Sequence, residues 1–423
     1  MVLTDARCYL PSAMASQPTV CIVGGGPAGL FAGLLFARAG VATTVLEKHG
    51  DFLRDFRGDT VHPSTLELFD QLGLLDRLLA LPHDRVDTIG ARIMGADITV
   101  GDFRHLDVPA PFIAMMPQWD LLDFLADEAG RYPDFTLRMN CEASGVTTDA
   151  SDRVDGVRLK DGGRIAADLV IAADGRRSVL RAAAALPLRE IGAPMDVFWF
   201  RVPKLAGDGN RTFGIFENGR IAVFIDRRDY WQAAFVFAKG SAVRVRERGL
   251  DAFKAELAGI APELANGLRS LSSWDEIKLL SVALDRLTRW HRPGLLAIGD
   301  AAHAMSPIGG VGINLAIQDA AATANVLAGP IAAGADPDPL LAAVQTRRWT
   351  PTVRMQGLQK LAQDRLIAPL LAGAAKAQRP PWPLRLMQHL PILQRIPARI
   401  VGLGFGREKI ASPDAGRRRS SAD

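Results

Sequence analysis

Gly24, Gly26 and Gly29 stand in GxGxxG spacing directly after an apolar run, Val20 to Val23, and Glu47 ends the next apolar run, Val41 to Leu46. The chemistry this set can do is to hold a dinucleotide. Gly24 permits a tight turn, Gly26 lets backbone approach a pyrophosphate, and Gly29 lets a helix pack closely on a strand. The phosphates then sit at the positive end of that helix, whose first turn carries Pro27 and Ala28. Glu47 stands where a carboxylate accepts hydrogen bonds from an adenosine ribose, with Lys48 beside it. GxGxxG alone is a weak signal. Strand, helix, second strand and terminal acid in register make it a strong one.

The elements that position these groups follow from the surrounding pattern. A long apolar helix runs to Ala39 and is stopped by Gly40. Leu169 to Gly175 reads as a buried strand ending in a polar turn at Asp174, and GLLAIGD repeats that pattern up to Asp300. Gly309, Gly310 and Gly312 follow, then a helix from Asn314 to Leu327. The nucleotide site is therefore assembled from three distant segments. Between them, DVFWFRVP, RTFGIF, GRIAVFID and WQAAFVFAK are aromatic, β-branched and alternating, the pattern of an antiparallel sheet with one covered face. The turn Lys160-Asp161-Gly162-Gly163 predicts a hairpin, and Ser64 is placed to cap a helix carrying Leu66, Phe69 and Leu72. The expected fold class is α/β: a Rossmann-like domain with an inserted antiparallel β-sheet substrate domain and a helical C-terminal region. Residues 18–85, 112–185 and 285–330 are expected to form the discontinuous nucleotide domain. Residues 86–111 and 186–284 form the sheet domain, 331–410 the helical region, and 1–17 and 411–423 flexible ends.

Composition narrows the function classes. A chain of 423 residues is too long for one small core. A net charge of +4 gives no nucleic-acid signal, and the run Arg417 to Arg419 reads as a solvated tail. With only Cys8, Cys21 and Cys141 and no CxxC, a dithiol centre, zinc ribbon or disulfide scaffold is not expected, and Cys21 reads as a small buried hydrophobe. No His/Asp/Glu cluster has metal spacing, so no metal is expected. His303 reads as a structural hydrogen bond after its turn and His62 as a helix-start residue. No apolar run reaches membrane-spanning length, and the first residues do not read as a secretion signal, so the cytoplasm is the expected compartment.

Three motifs in order resemble the FAD-dependent monooxygenases of the para-hydroxybenzoate hydroxylase fold: VGGGPAGL with Glu47, ADGRRSVLR from Ala173 to Arg181, and GDAAHAMSPIGGVGINLAIQDA from Gly299 to Ala320. The resemblance spans roughly residues 18 to 330. It implies FAD as the bound cofactor and NADPH or NADH as a transient reductant, since no second GxGxxG in matching context supplies a separate nicotinamide domain. Glu47 would bind the adenosine ribose, Arg57 the FAD phosphates, and Asp174 would lie near the pyrophosphate, with Arg176 and Arg181 close by. Gly299 and Asp300 would meet the ribityl chain. Gly310, Gly312, Ile313 and Asn314, at a helix N-terminus, would face the flavin pyrimidine edge, where reduced flavin carries negative charge. Gln118 would lie on the flavin side, and Pro307, with Met305 and Ser306, would line the reactive face.

The reaction implied is transfer of one oxygen atom from dioxygen, through a flavin 4a-hydroperoxide, to an aromatic or polycyclic small molecule, by hydroxylation or epoxidation. Phe198, Phe200, Phe224, Trp231 and Phe235 are the substrate-pocket candidates. Arg201, Tyr230 and Pro307 are the catalytic candidates, Tyr230 because it is the one tyrosine in the sheet. The Pro-interrupted segment Leu366 to Phe405 could cover the substrate entry, mediate a homodimer or touch a membrane surface peripherally; covering its own domain is preferred. Three alternatives stay open: a flavin reductase or desaturase of an apolar substrate, a flavin halogenase, and a non-catalytic FAD-binding protein. Against the halogenase, FWFRVP has Phe198 where that family carries Trp.

Overall fold

The computed structural model describes residues 20–53, 59–208, 212–217, 219–227, 229–372 and 382–416. The expected flexible end 1–17, the Arg417 to Arg419 run and Arg57 lie outside the described residues.

Along the chain, β1 (Val20–Val23), α1 (Pro27–Arg38) and β2 (Thr43–Leu46) form the glycine-turn unit. β3 (Thr60–Val61) and α2 (Pro63–Gln71) follow, then the hairpin β4 (Thr88–Ile93) and β5 (Ala96–Asp102). β6 (Ile113–Met115), α3 (Gln118–Gly130), β7 (Phe135–Arg138), β8 (Leu169–Ala172) and the short helix α4 (Val179–Ala183) return the chain to the nucleotide side. Next come β9 (Met195–Pro203), β10 (Phe213–Glu217), β11 (Arg220–Asp226), β12 (Tyr230–Ala238), α5 (Leu250–Ile260) and β13 (Lys278–Leu280). β14 (His291–Arg292), β15 (Leu295–Ala297), α6 (Gly312–Ala332), α7 (Leu341–Ala362), α8 (Ala368–Leu371) and α9 (Arg395–Leu403) complete the elements that bear on the site.

The first sheet has the order β14-β15-β8-β1-β2-β7 and is parallel except at the β14 edge. Its central strands are buried on both faces, which explains why Val20 to Val23 and Leu169 to Ala172 are unbroken apolar runs. Gly33 shows how closely helix and sheet approach: a Cβ there would lie 2.8 Å from Val45 and 2.9 Å from Phe135. Cys21 is fully buried in β1, and burial pushes its thiol up to about 12, so it acts as a hydrophobe.

The second sheet has the order β13-β9-β12-β11-β10-β4-β5, antiparallel except for the β10–β4 pair. Strand alternation gives it two unlike faces. On one, Phe198, Phe200, Phe224, Trp231, Phe235 and Phe237 pack with Phe253 and Leu257 of α5. On the other, Met195, Val197, Ile221, Ala234 and Val236 meet Ile308, Ile367 and Leu370. Trp199 and Val223 on that same face also reach a cluster holding Met115, Ile225, Ala398 and Val401. This second face looks toward the nucleotide side.

Two local expectations are refined. The N-cap of α2 is His62, with Pro63 at the first helical position, so Ser64 lies inside the helix; proline's fixed φ sets that start. α6 begins at Gly312 and continues to Ala332, beyond the expected Leu327.

Candidate functional site: a dinucleotide cradle facing an apolar sheet

The glycine turn is fixed by close contacts. Gly24 has φ +111°, and a Cβ there would lie 2.3 Å from the Ala173 carbonyl oxygen. A Cβ on Gly29 would lie 1.9 Å from the Gly24 carbonyl oxygen. A Cβ on Gly26 would meet no atom within 4 Å, so the turn is open on the side where a pyrophosphate would lie. No side chain caps α1, and its first N–H groups are left for a ligand. Glu47 is buried; its Oε2 accepts from the Gly25 N–H at 3.0 Å and its Oε1 from the His49 N–H at 3.0 Å. Lys48, next to it, is exposed.

Two further turns close on this one. Gly299, at φ +58°, is wedged so that a Cβ would lie 3.1 Å from Ala28 and 3.2 Å from Ala316. Asp300 stands half-exposed, 3.6 Å from the Arg176 guanidinium. Asp174 is turned to its own chain: Oδ2 accepts from the N–H groups of Val179 at 2.8 Å and Leu180 at 3.2 Å, holding the start of α4. Its Oδ1 is buried without a partner among the described residues, and burial raises its pKa. Arg181 anchors the same turn by donating to the Arg176 carbonyl at 2.5 Å and lies 3.8 Å from Asp285.

Gly309 and Gly310 take φ of +78° and +64°, which delivers the chain into α6. At Gly310 a Cβ would lie 2.6 Å from Thr60 Oγ1. Asn314 fastens the helix start to the β3–α2 segment. Its Oδ1 accepts from the His62 N–H at 2.8 Å and Thr65 Oγ1 at 2.7 Å, and its Nδ2 donates to the Thr60 carbonyl at 3.1 Å. No side chain caps α6, so the N–H groups of Gly312, Ile313 and Asn314 are open for a ligand. His62 is fully buried, its Nδ1 lies 2.7 Å from the Val401 carbonyl oxygen, and burial pulls its pKa down to about 4, so the ring is neutral and donates there.

His303 is structural. Its Nε2 donates to Asp319 Oδ2 at 2.6 Å, and Asp319 Oδ1 accepts from Arg348 Nε at 2.8 Å. The Gly299 N–H also donates to Asp319, at 3.1 Å. Burial works to raise the Asp319 pKa, but His303 and Arg348 outweigh it and hold the carboxylate below its usual range. The loop bearing Pro307 is held by Gln359 of α7: its Oε1 accepts from the Ser306 N–H at 3.1 Å, and its Nε2 donates to the carbonyls of Ser306 and Ile308, each at 2.9 Å.

Gln118 opens α3, and its backbone N–H bonds to the Asp59 carboxylate. Arg227, from the β11–β12 turn, pairs with Asp59 and donates through Nε to Gln232 Oε1 at 3.0 Å. This buried knot ties the sheet to the nucleotide side. Burial raises the Asp59 pKa despite the Arg227 charge, and Arg227 Nη1 is buried without a partner among the described residues.

The pleat decides where the aromatic pocket candidates stand. Phe198, Phe200, Phe224, Trp231 and Phe235 pack under α5, on the face turned away from the glycine turns, because alternation sends every second residue to the opposite side. Trp231 lines a cavity of about 190 Å³ there with Arg92, Asp97, Asp208, Phe213 and Glu263. The face toward Pro307 carries Trp199, Val223, Ala234 and Gln232 instead. Arg201 and Tyr230 share that face but lie at its outer end, with the guanidinium 4.8 Å over the tyrosine ring. Asp59, Arg227, Gln232 and Gln359 went unread in the sequence; the glutamines at 356, 359 and 363 do share one helical face, a signal available beforehand.

An open glycine turn, a ribose-side carboxylate and a second, uncapped helix start beside an apolar sheet together fit FAD, and define a flavoprotein of the para-hydroxybenzoate hydroxylase fold. The chain belongs to the family whose model is described as an FAD binding domain, matched over residues 17–356. It is 32% identical over 397 residues to 6-methylpretetramide 4-monooxygenase of Streptomyces rimosus, covering 92% of this chain and 93% of that one. It is 27% identical over 331 residues to 3-demethoxyubiquinol 3-hydroxylase of Escherichia coli K12, covering 74% of this chain and 81% of that one. Among solved structures, P. aeruginosa PqsL in complex with 2-aminobenzoylacetate superposes with a TM-score of 0.72 at 21% identity, over 85% of this chain and 99% of that one. The protein is an FAD-dependent monooxygenase, of a family in which an NAD(P)H reductant is typical. Among the described residues, no helix is long and apolar enough to cross a membrane, and no group of His, Cys, Asp or Glu could hold a metal ion.

Proposed function

We propose that this monooxygenase, acting as a single component, hydroxylates or epoxidises an aromatic or polycyclic small molecule held between the Pro307 loop and the Trp199 face of the sheet. The observation that carries the reading is that face: Trp199, Val223, Ile225 and Ala234 form an apolar wall, and Ile308 and Val401 pack against it beside the uncapped start of α6. A flat, apolar ring fits such a wall. FAD, when bound, accepts hydride from the nicotinamide and activates dioxygen. The chain's own work is to bind, orient and exclude water.

In this reading Gly24, Gly26, Gly29 and Glu47 hold the adenosine diphosphate half. Asp300 accepts from ribityl hydroxyls. The N–H groups of Gly312, Ile313 and Asn314 stabilise the negative charge that the reduced pyrimidine edge acquires. Pro307, held rigid by Gln359, borders the reacting face. Ala398 and Val401 of α9 pack against that face, which gives the C-terminal segment the role of a wall. The polycyclic substrate class draws support from 6-methylpretetramide 4-monooxygenase, whose name states a polycyclic substrate, and from its similarity along nearly the whole chain.

The test is a visible spectrum of the purified protein, mixed anaerobically with NADPH or NADH and then with air, in the presence of 6-methylpretetramide or simpler phenols. Bleaching that quickens with one of these rings, and a product heavier by one oxygen atom, is the expected outcome. A flavin that neither nicotinamide bleaches with any ring contradicts a single-component enzyme.

A further inference from the structure

Gln356, Gln359 and Gln363 lie along one face of α7 and its extension, and all three are buried. The first two are fully engaged. Gln356 donates to the carbonyls of Asp285 at 2.7 Å and Ala304 at 3.2 Å, and accepts from Arg286 at 2.9 Å. Gln359 clamps the Ser306 and Ile308 backbone. Gln363 differs: it is 0% exposed, yet among the described residues neither its amide nitrogen nor its amide oxygen has a partner. It also opens a π-helical turn, Gln363–Ile367, a distortion that recurs at functional sites.

Its neighbours along the helix locate it. One turn earlier, Gln359 touches the Pro307 loop. One turn later, Ile367 packs with Met195, Val197, Ala234 and Val236 on the nucleotide-side face, where Trp199 and Ile308 also pack. α8 then lies on β11 and β12. Gln363 therefore faces the junction between loop and sheet. On the sheet side of that junction the Trp199 indole N–H is likewise buried without a partner among the described residues. A buried polar group left unmade costs about 1–3 kcal/mol, so two on one side of the sheet call for a molecule that supplies the missing bonds.

We propose that Gln363 and Trp199 select and orient the ring substrate through an oxygen it already carries. The indole N–H and the amide N–H donate to a phenol or ring-carbonyl oxygen, and the Gln363 oxygen accepts from a ring hydroxyl. The inference rests on the reading that substrate occupies the Trp199 face. It narrows the substrate class to oxygenated rings over bare hydrocarbons, because a site built to hydrogen-bond an oxygen rejects an analogue without it.

The experiment titrates FAD-loaded protein with 1-naphthol and with naphthalene, without nicotinamide, and reads the flavin absorbance and fluorescence. The wild type is expected to bind 1-naphthol about ten-fold more tightly than naphthalene, one good hydrogen bond's worth. Gln363→Leu lowers that preference several-fold, leaves naphthalene affinity unchanged, and keeps or raises Tm because an unmade polar group is gone. Trp199→Phe reduces the preference several-fold and keeps the proposal testable should Gln363→Leu lose FAD. Binding is read without turnover, so the result stands apart from whether oxygenation occurs. No preference in the wild type, or an undiminished preference in the variants, overturns the proposal. So does a fall in Tm of Gln363→Leu with the preference intact, which marks a glutamine bonded to structural water.

Discussion

The two faces of the seven-stranded sheet carry the same kinds of residues to opposite ends. Under α5, Phe253 sits among Phe198, Phe200, Phe235 and Trp274 with ring centroids 5.3 to 6.1 Å apart, and Trp231 donates its indole N–H to Asp208 at 3.0 Å. Toward the nucleotide side, the Trp199 indole N–H, the Gln363 side-chain amide and one Arg227 nitrogen are buried without a hydrogen-bond partner among the described residues. Aromatic density marks the face that holds the sheet together. On the function proposed above, the partnerless groups of the other face are those that meet the substrate.

The largest expected effects test that division. Arg227→Met strands the buried Asp59 carboxylate and is expected to cost about 3–5 kcal/mol, since removing one partner leaves an uncompensated charge. Chemical denaturation measures it, and FAD retention falls with it because the pair joins the sheet to the segment before β3. Phe253→Ala is expected to cost about 3–5 kcal/mol on the other face. There, FAD content and ring-substrate binding stay at wild-type levels in protein that remains folded. An altered substrate affinity in Phe253→Ala would place substrate on the wrong face for this account.

His62 adds a pH test on the nucleotide side. Its pKa is pulled from 6.5 to about 4 by burial. As pH falls, the unfolded chain takes up the proton first. The contribution is therefore fully present above about pH 6.5 and is lost on going down to about 4, amounting to about 3 kcal/mol. His62→Gln is expected to flatten that limb of a Tm–pH profile, and an unchanged slope would show that the ring does not titrate in this window. The smallest effect compares the two tryptophans: Trp231→Phe is expected to cost about 1–3 kcal/mol more than Trp199→Phe, because only the former breaks a hydrogen bond. Equal costs would remove the contrast between the faces.

The glycine turn was legible because its logic is local: Gly24, Gly26, Gly29 and Glu47 lie within one strand–helix–strand unit, and each glycine has a contact that forbids a Cβ or an opening that needs none. The GD turn was legible for the same reason, with the helix that follows read as starting at Asn314, two residues after its start at Gly312. The alternation of Trp199 with Phe198 and Phe200 announced two faces, yet nothing in a strand's own pattern says which face meets the nucleotide domain. That depends on contacts with Ile308, Ile367 and Val401, all more than a hundred residues away. The Asp59–Arg227–Gln232 knot was hidden likewise, since its members come from a loop, a turn and a strand with no motif of their own. Asp174 was read toward the pyrophosphate, while one of its oxygens is given to the start of α4, a capping role that sequence spacing alone does not separate from ligand binding.

The measurement that bears most directly on the central claim is turnover of the FAD-loaded protein with NADPH under oxygen-18 gas, using a ring compound that quickens flavin bleaching, with the product read by mass spectrometry. The account expects one heavy oxygen atom in the product, at a yield lowered in Trp199→Phe and unchanged in Phe253→Ala. A product carrying no heavy oxygen, with nicotinamide consumed all the same, would contradict it.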